Sequence, residues 1–241
     1  MIIGGLEKLT LLDYPDHLAA IIFTQGCNFR CHFCYNPMLV LPQTGGDEKN
    51  KKEKGFSPLS TEDLFLFLKE RFGRLEGVVI TGGEPTLHPD LPSFIKTIKD
   101  MGYLVKLDSN GTNPEMLAGL IKDKLVDYIA MDIKAPLDKY ETTVNVKLDW
   151  DNIRKSVKII MASGLPYEFR TTVVPGLLEK DDFHAMGVLI KGASKWYLQN
   201  FKSDTELVNA TYKKQAGFST QEMKEFAVIG REYVGLCEVR T

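Results

Sequence analysis

The sequence is poor in the features that carry a chain into a membrane, out of a cell or onto nucleic acid. No apolar run approaches the ~20 residues a bilayer-spanning helix needs. The opening Met1-Ile2-Ile3-Gly4-Gly5-Leu6-Glu7-Lys8 lacks the basic-then-apolar order of a secretory leader. A cytoplasmic protein that engages no membrane is therefore expected. Lys and Arg number 30 against 32 Asp and Glu, a net charge of −2 with no basic block, which argues against nucleic acid as a partner. Cysteine is scarce, four in 241 residues, and three of the four crowd into positions 27–34. Evenly spread pairs would predict a secreted disulfide framework, whereas crowded thiols in a reducing compartment predict a bound metal. What remains, 44% apolar and 26% charged residues, is ordinary for a soluble globular chain long enough for one sizeable core.

Short β-rich runs alternate with amphipathic stretches. Strands are expected at Ala19–Thr24, Gly77–Thr81, Tyr103–Asp108, Val126–Lys134, Tyr167–Val174 and Lys195–Phe201. Helices are expected after Ser60 as N-cap, over Asp90–Met101, from Asn113-Pro114 to about Leu125, over Asp151–Ala162 and Asp181–Lys191, and after the capping box Ser219-x-x-Glu222. A short final segment is expected to pair as an edge strand. Six β–α units imply a parallel sheet with right-handed crossovers, too few for an eight-stranded barrel. The expected fold is α/β, a partial (β/α)6 barrel in a single domain spanning 1–241. Its core covers about 16–202, with a C-terminal helix and short strand in 203–241. Gly45–Gly55, rich in Lys, Glu and Gly, is expected to be a solvated surface loop.

Every unusual motif falls at the carboxyl end of a predicted strand: the cysteine loop, Thr81-Gly82-Gly83-Glu84-Pro85, Asp108-Ser109-Asn110-Gly111, Asp132-Ile133-Lys134, Arg170 through Val173-Val174-Pro175-Gly176, and Gln199-Asn200-Phe201. Parallel α/β folds place active sites at that edge. Strand parity puts Lys106 with Asp108, Asp132 with Lys134, and Glu168 with Arg170 on shared faces. With helices covering the outside these charges point inward, where they need partners or a ligand.

The loop Gly26-Cys27-Asn28-Phe29-Arg30-Cys31-His32-Phe33-Cys34-Tyr35-Asn36 contains C-x3-C-x2-C. Three thiolates on so short a loop can wrap one corner of a cubane cluster, leaving one iron open, because such clusters normally take four cysteines. Zinc is the competing reading and needs a fourth ligand, His32 or distant Cys237. Spacing alone leaves both open. Cys237 otherwise reads as a buried spectator thiol, and His17, His88 and His184 carry no motif.

Taken together, the C-x3-C-x2-C loop after the first strand, with Phe33 before Cys34, and Gly82-Gly83-Glu84-Pro85 after the second resemble the radical S-adenosylmethionine superfamily. Phe23-Thr24-Gln25-Gly26-Cys27, Cys34-Tyr35-Asn36-Pro37, Leu107 through Gly111, Met131 through Lys134 and Arg170-x-x-Val173-Val174-Pro175-Gly176 are similar to glycyl-radical-enzyme activating proteins. The opening Leu9-Thr10-Leu11-Leu12-Asp13-Tyr14-Pro15 resembles activators of anaerobic ribonucleoside-triphosphate reductase.

The resemblance implies a 4Fe-4S cluster on Cys27, Cys31 and Cys34, with S-adenosylmethionine completing the fourth iron. It implies cofactor contacts from Asn36, Gly82, Gly83, Glu84, Asp108, Ser109, Lys134, Arg170, Val174 and Gln199. It also implies a glycyl radical enzyme as protein substrate and a low-potential ferredoxin or flavodoxin as electron donor. The chain departs from the pyruvate formate-lyase type at the end of the sixth strand, where Leu198-Gln199-Asn200-Phe201 holds no histidine. Two other functions stay in view: a small-molecule radical enzyme such as a 7-carboxy-7-deazaguanine synthase, and a zinc-binding structural module. The zinc module leaves the Gly82–Pro85 turn and the inward charges without a purpose.

Overall fold

In the computed structural model, described over residues 1–40 and 59–240, the β-branched and aromatic runs form the strands. These are β1 (Ile3–Thr10), β2 (Ala19–Thr24), β3 (Gly77–Gly82), β4 (Leu104–Ser109), β5 (Tyr128–Asp132), β6 (Tyr167–Val173), β7 (Lys195–Asn200) and β8 (Leu236–Arg240). They follow one another in chain order in a single sheet. β1 runs antiparallel to β2, while β2–β3, β3–β4, β6–β7 and β7–β8 pair parallel. The expected α/β fold with a mostly parallel sheet holds, each of the six predicted strands lies within two residues of its expected ends, and the predicted edge strand is β8. β1 is an addition. Gly4-Gly5 and Glu7-Lys8 break its β pattern, and with Glu7, Lys8 and Leu9 exposed it is held by pairing with β2 rather than by its own propensity. The predicted Gly45–Gly55 loop lies outside the described residues.

The helices are α1 (Pro37–Val40), α2 (Thr61–Arg71), α3 (Leu91–Asp100), α4 (Pro114–Lys122), α5 (Leu137–Val144), α6 (Trp150–Ala162), α7 (Asp182–Leu189) and α8 (Thr220–Gly230). The Ser60 hydroxyl accepts from the Asp63 N–H at 3.0 Å, and Ser219 and Glu222 form the predicted capping box. α5 was not legible in the sequence. Among the described residues no helix is long and apolar enough to cross a membrane.

The backbone divides into two compact units. The first comprises Met1–Asn28, Met38–Ser109 and Glu115–Ile129. On one face of its strands, Ala19, Ile21 and Val79 pack with Tyr14 and Tyr128. On the other, Ala20, Ile22, Val78, Ile80, Val105 and Leu107 are fully buried, as are Leu91, Ile95 and Ile98 of α3. Lys106 and Asp108 share the Tyr128 side, as parity requires: the ammonium lies 2.7 Å from Asp108 Oδ1 and 5.9 Å from the Tyr128 ring centre.

The second unit comprises Phe29–Pro37, Asn110–Pro114 and Ala130–Thr241. Phe169, Trp196, Leu198 and Cys237 fill one face of β6–β8. Phe183 of α7 covers it 6.0 Å from Trp196, and Phe226 of α8 stacks on Phe183 at 4.5 Å. The opposite face carries Glu168, Arg170, Tyr197, Gln199 and Arg240, with Arg170 level with Tyr197 and Gln199 level with Arg240. Fully buried Glu168 accepts a two-pronged bond from Arg240, at 2.9 and 3.0 Å, while that guanidinium lies 3.8 Å over the Tyr197 ring. A buried carboxylate needs such a partner.

Candidate functional site

In the first unit, the turns after β2, β3 and β4 carry the predicted residues. Gly26, at φ +97°, ends β2 and presents Cys27, half-buried. The turn after β3 is pressed against it. The Gly83 N–H donates to Thr24 O and the Glu84 N–H to Gly26 O, both at 2.8 Å. Only glycine fits here. A Cβ at Gly82, φ +112°, would meet the Thr24 backbone at 2.5 Å, and one at Gly83 would lie 2.0 Å from Gly26 O. Both N–H groups are thereby committed to the Thr24–Gly26 backbone.

The Glu84 carboxylate is 1% exposed and accepts from Thr86 N–H at 3.2 Å, Thr86 Oγ1 at 2.5 Å and Ser109 Oγ at 2.8 Å. It ties the end of β3 to the end of β4. Glu84 and Ser109 therefore shape this edge through each other, and Asp108 stands beside them, paired with Lys106.

In the second unit, the cysteine turn meets the end of β5. The Cys34 N–H donates to Cys31 O at 3.1 Å, closing the C-x2-C turn. Cys31 is buried, Cys34 half-buried, and none of the four cysteines is in a disulfide. Burial pushes the Cys34 thiol up, opposed by the Asn36 backbone N–H and by Lys134. Phe33 is buried with its ring centre 5.8 Å from Lys134 Nζ.

Lys134, just past β5, and Arg170, on β6, converge on one carboxylate. Asp132 Oδ2 accepts from Lys134 Nζ and Oδ1 from Arg170 Nε, each at 3.0 Å. Burial by itself would raise the Asp132 carboxyl, but Arg170 and Lys134 overcome it and hold the group at about 2. Burial works against charge on Lys134 too, and the Asp132 carboxylate reverses it, keeping the amine charged. Tyr140 of α5 props the strand end, its hydroxyl donating to Asp132 O at 3.4 Å and accepting from the Lys134 N–H at 3.3 Å.

Val174 is buried, and its carbonyl accepts from Leu177 and Leu178. Asn200 is bound in both directions to the Phe218 backbone, at 2.6 and 3.0 Å. That leaves half-buried Gln199 as the polar side chain at the end of β7 on the Arg170 face.

The bridging role of Asp132 was half-visible in its parity with Lys134. Tyr140 and Asn209, described below, carried no local signal. Among the described residues no group of three or more His, Cys, Asp or Glu is drawn together as a ready-made metal site.

Residues 21–186 match the model of the Radical SAM superfamily. Over 245 residues the chain is 31% identical to a Methanocaldococcus jannaschii protein provisionally named a glycyl-radical enzyme activating enzyme, covering 100% of this chain and 96% of that one. Over 197 residues it is 29% identical to the pyruvate formate-lyase-activating enzyme of Clostridium pasteurianum, 78% of this chain and 76% of that one. In fold it is similar to the solved domain of a pyruvate-formate lyase-activating enzyme from Bacteroides vulgatus, with a TM-score of 0.55 at 17% identity over 69% of this chain and 99% of that one. With the family pattern running through both units, the chain belongs to the radical S-adenosylmethionine superfamily, enzymes that work with a 4Fe-4S cluster and S-adenosylmethionine.

Proposed function

We propose that this chain activates a glycyl radical enzyme, anaerobic ribonucleotide reductase, and that Cys27, Cys31 and Cys34 hold its cluster. The observation that carries the reading is 31% identity, along the entire chain, to a protein provisionally named a glycyl-radical enzyme activating enzyme. The likeness of Leu9–Pro15 to activators of that reductase supports the narrower choice of partner. When bound on those cysteines and fed one electron by a low-potential ferredoxin or flavodoxin, the cluster would supply the reductive cleavage of S-adenosylmethionine that lets a hydrogen be removed from a glycine of the partner.

The residues present fit both cofactors. Three cysteines leave one iron of a cubane without a protein ligand. Beside Cys34, the Asn36 backbone N–H and Lys134 oppose the burial that pushes the thiol up, and so favour the thiolate a metal ligand needs to be. The methionine end of S-adenosylmethionine carries an ammonium and a carboxylate. The Gly83 carbonyl and Asp108 are acceptors for the first. Lys134 and Arg170, fixed in advance by Asp132, are donors for the second. Glu84 and Ser109 hold the turn in place. Gln199 serves a ribose hydroxyl, Val174 an apolar base, and the Asn36 backbone the cysteine loop. The chain thus binds and orients, and excludes water, while the hard chemistry is the cofactors' own.

The test is an anaerobic incubation of reconstituted protein with S-adenosylmethionine, a reductant and purified anaerobic ribonucleotide reductase, read by electron paramagnetic resonance. A glycyl radical on the reductase that disappears with Cys31→Ala supports the proposal. A glycyl radical on pyruvate formate-lyase instead would keep the activase and change its partner. Formation of 5′-deoxyadenosine with a radical on neither protein would replace the activase with a small-molecule enzyme.

A further inference from the structure

The second unit contains a contact that none of the motifs requires. Between β7 and α8 the chain turns back along the Cys31–Cys34 turn and grips it. The carbonyls of His32 and Cys34 accept from the backbone N–H groups of Asn209, at 3.0 Å, and Val208, at 3.3 Å. Just after Cys34, the Tyr35 hydroxyl accepts from the Lys202 N–H at 2.9 Å, and its ring stacks on Phe201 at 6.2 Å. Phe201 and Leu207, both buried, anchor the stretch to the core.

Asn209 is the joint of this arrangement. Its Oδ1 accepts from Thr211 N at 3.0 Å and Thr211 Oγ1 at 2.8 Å, capping the 3-10 helix Ala210–Lys214. A backbone N–H can only donate, so Oδ1 is fixed on that side and Nδ2 faces His32 Nδ1, 3.3 Å away. Nδ1 is then the acceptor, and His32 carries its proton on Nε2. The capped helix in turn lays Tyr212 flat on the His32 ring, 5.8 Å between centres and 10° between planes. His32 is thereby part of the clasp through both its Nδ1 and its ring face.

We propose that Val208–Tyr212 is a clasp on the cysteine turn, and that Asn209 is a positioning residue that keeps the sulfurs of Cys31 and Cys34 in cluster-binding geometry. The proposal rests on the assignment of those two cysteines as cluster ligands. The clasp adds to the turn's own bonds, the Cys34 N–H to Cys31 O and the Asn36 backbone N–H to Cys34, and a ligand set performs only when its supporting shell fixes it.

The experiment uses the reconstituted holoprotein without oxygen and follows iron release to an excess of ferrous chelator by absorbance. Asn209→Ala removes the cap and the His32 contact together, and release is expected to quicken about tenfold. Tyr212→Ala is expected to act in the same direction. Asn209→Asp retains an acceptor for Thr211 and can accept from the Nδ1–H tautomer of His32, so release should return to within about threefold of wild type. Ser219→Ala, which loses a cap of α8 formed between Ser219 and Glu222, lowers overall stability by a similar amount and should leave release within about twofold of wild type. Asn209→Ala releasing iron at the wild-type rate, or no faster than Ser219→Ala, overturns the clasp while the cluster assignment stands. A wild type that takes up no iron–sulfur cluster overturns the ligand assignment, and the clasp falls with it.

Discussion

Gly83 marks the point where the turn after β3 passes the end of β2 with no room for a methyl group. A Cβ there would lie 2.0 Å from Gly26 O and 2.6 Å from its carbonyl carbon. Those backbone atoms cannot swing aside: the Gly26 N–H donates to Leu39 O at 2.7 Å, and Gly26 O already accepts from Glu84. Gly83→Ala must push the turn outward, stretching the bonds from Gly83 to Thr24 and from Glu84 to Gly26. Overpacking typically costs about 1–3 kcal/mol and each hydrogen bond about 1 kcal/mol, so a loss near 3 kcal/mol is expected. Gly119 is the matched control, a helical glycine in α4 with nothing within 4 Å of its would-be Cβ. Gly119→Ala should stabilise the chain by about 0.5–1 kcal/mol. Urea unfolding of the cluster-free proteins, followed by circular dichroism, reads both. With a slope of about 2 kcal/mol per molar, Gly83→Ala should lower the midpoint by about 1.5 M. Gly119→Ala should raise its midpoint. An unchanged midpoint for Gly83→Ala would refute the tight approach of the two turns.

Three further outcomes are expected. Asp132→Asn takes the carboxylate from between Lys134 and Arg170, whose side chains are 15% and 13% exposed, and should cost about 3 kcal/mol in urea unfolding. The wild-type carboxyl sits at about 2 against an ordinary 3.8, so on acidification the unfolded chain takes up the proton first. The resulting stability, about 2 kcal/mol, is present above about pH 4 and lost as the pH falls toward 2. Urea midpoints measured downward from pH 5 should fall more steeply for wild type than for Asp132→Asn. Burial pushes the Cys237 thiol up to about 12, with Arg231 opposing, so at pH 8 a thiol-specific chromogenic reagent should leave it untouched in the native cluster-free protein, and Cys237→Ala should not change the number of fast-reacting thiols.

The strands and most helices were legible because their signals are local. Hydrophobic runs such as Ala19–Thr24 and Gly77–Gly82 and the caps at Ser60 and Ser219 need nothing from the rest of the chain. β1 was not legible, because its Gly-Gly and Glu-Lys pairs read as loop until β2 supplies the pairing. α5 escaped because Leu137–Val144 is short and begins after Pro136 without a side-chain cap. In the site, residue types at strand ends and their parity are readable, and they place Lys134 and Arg170 on inward faces. What could not be read was which partner each side chain takes. Ser109 turns to Glu84, Asn200 to the Phe218 backbone, and His32 to Asn209, 177 positions away in the chain. Such pairings depend on tertiary approach, on which local periodicity is silent.

Cleavage of S-adenosylmethionine by the anaerobically reconstituted, dithionite-reduced protein is the most direct measurement, with 5′-deoxyadenosine quantified beside a Cys31→Ala control. A brown wild type that forms the nucleoside, and a control that does not, is the predicted result. A colourless protein that holds zinc through its thiols and forms no nucleoside would contradict it.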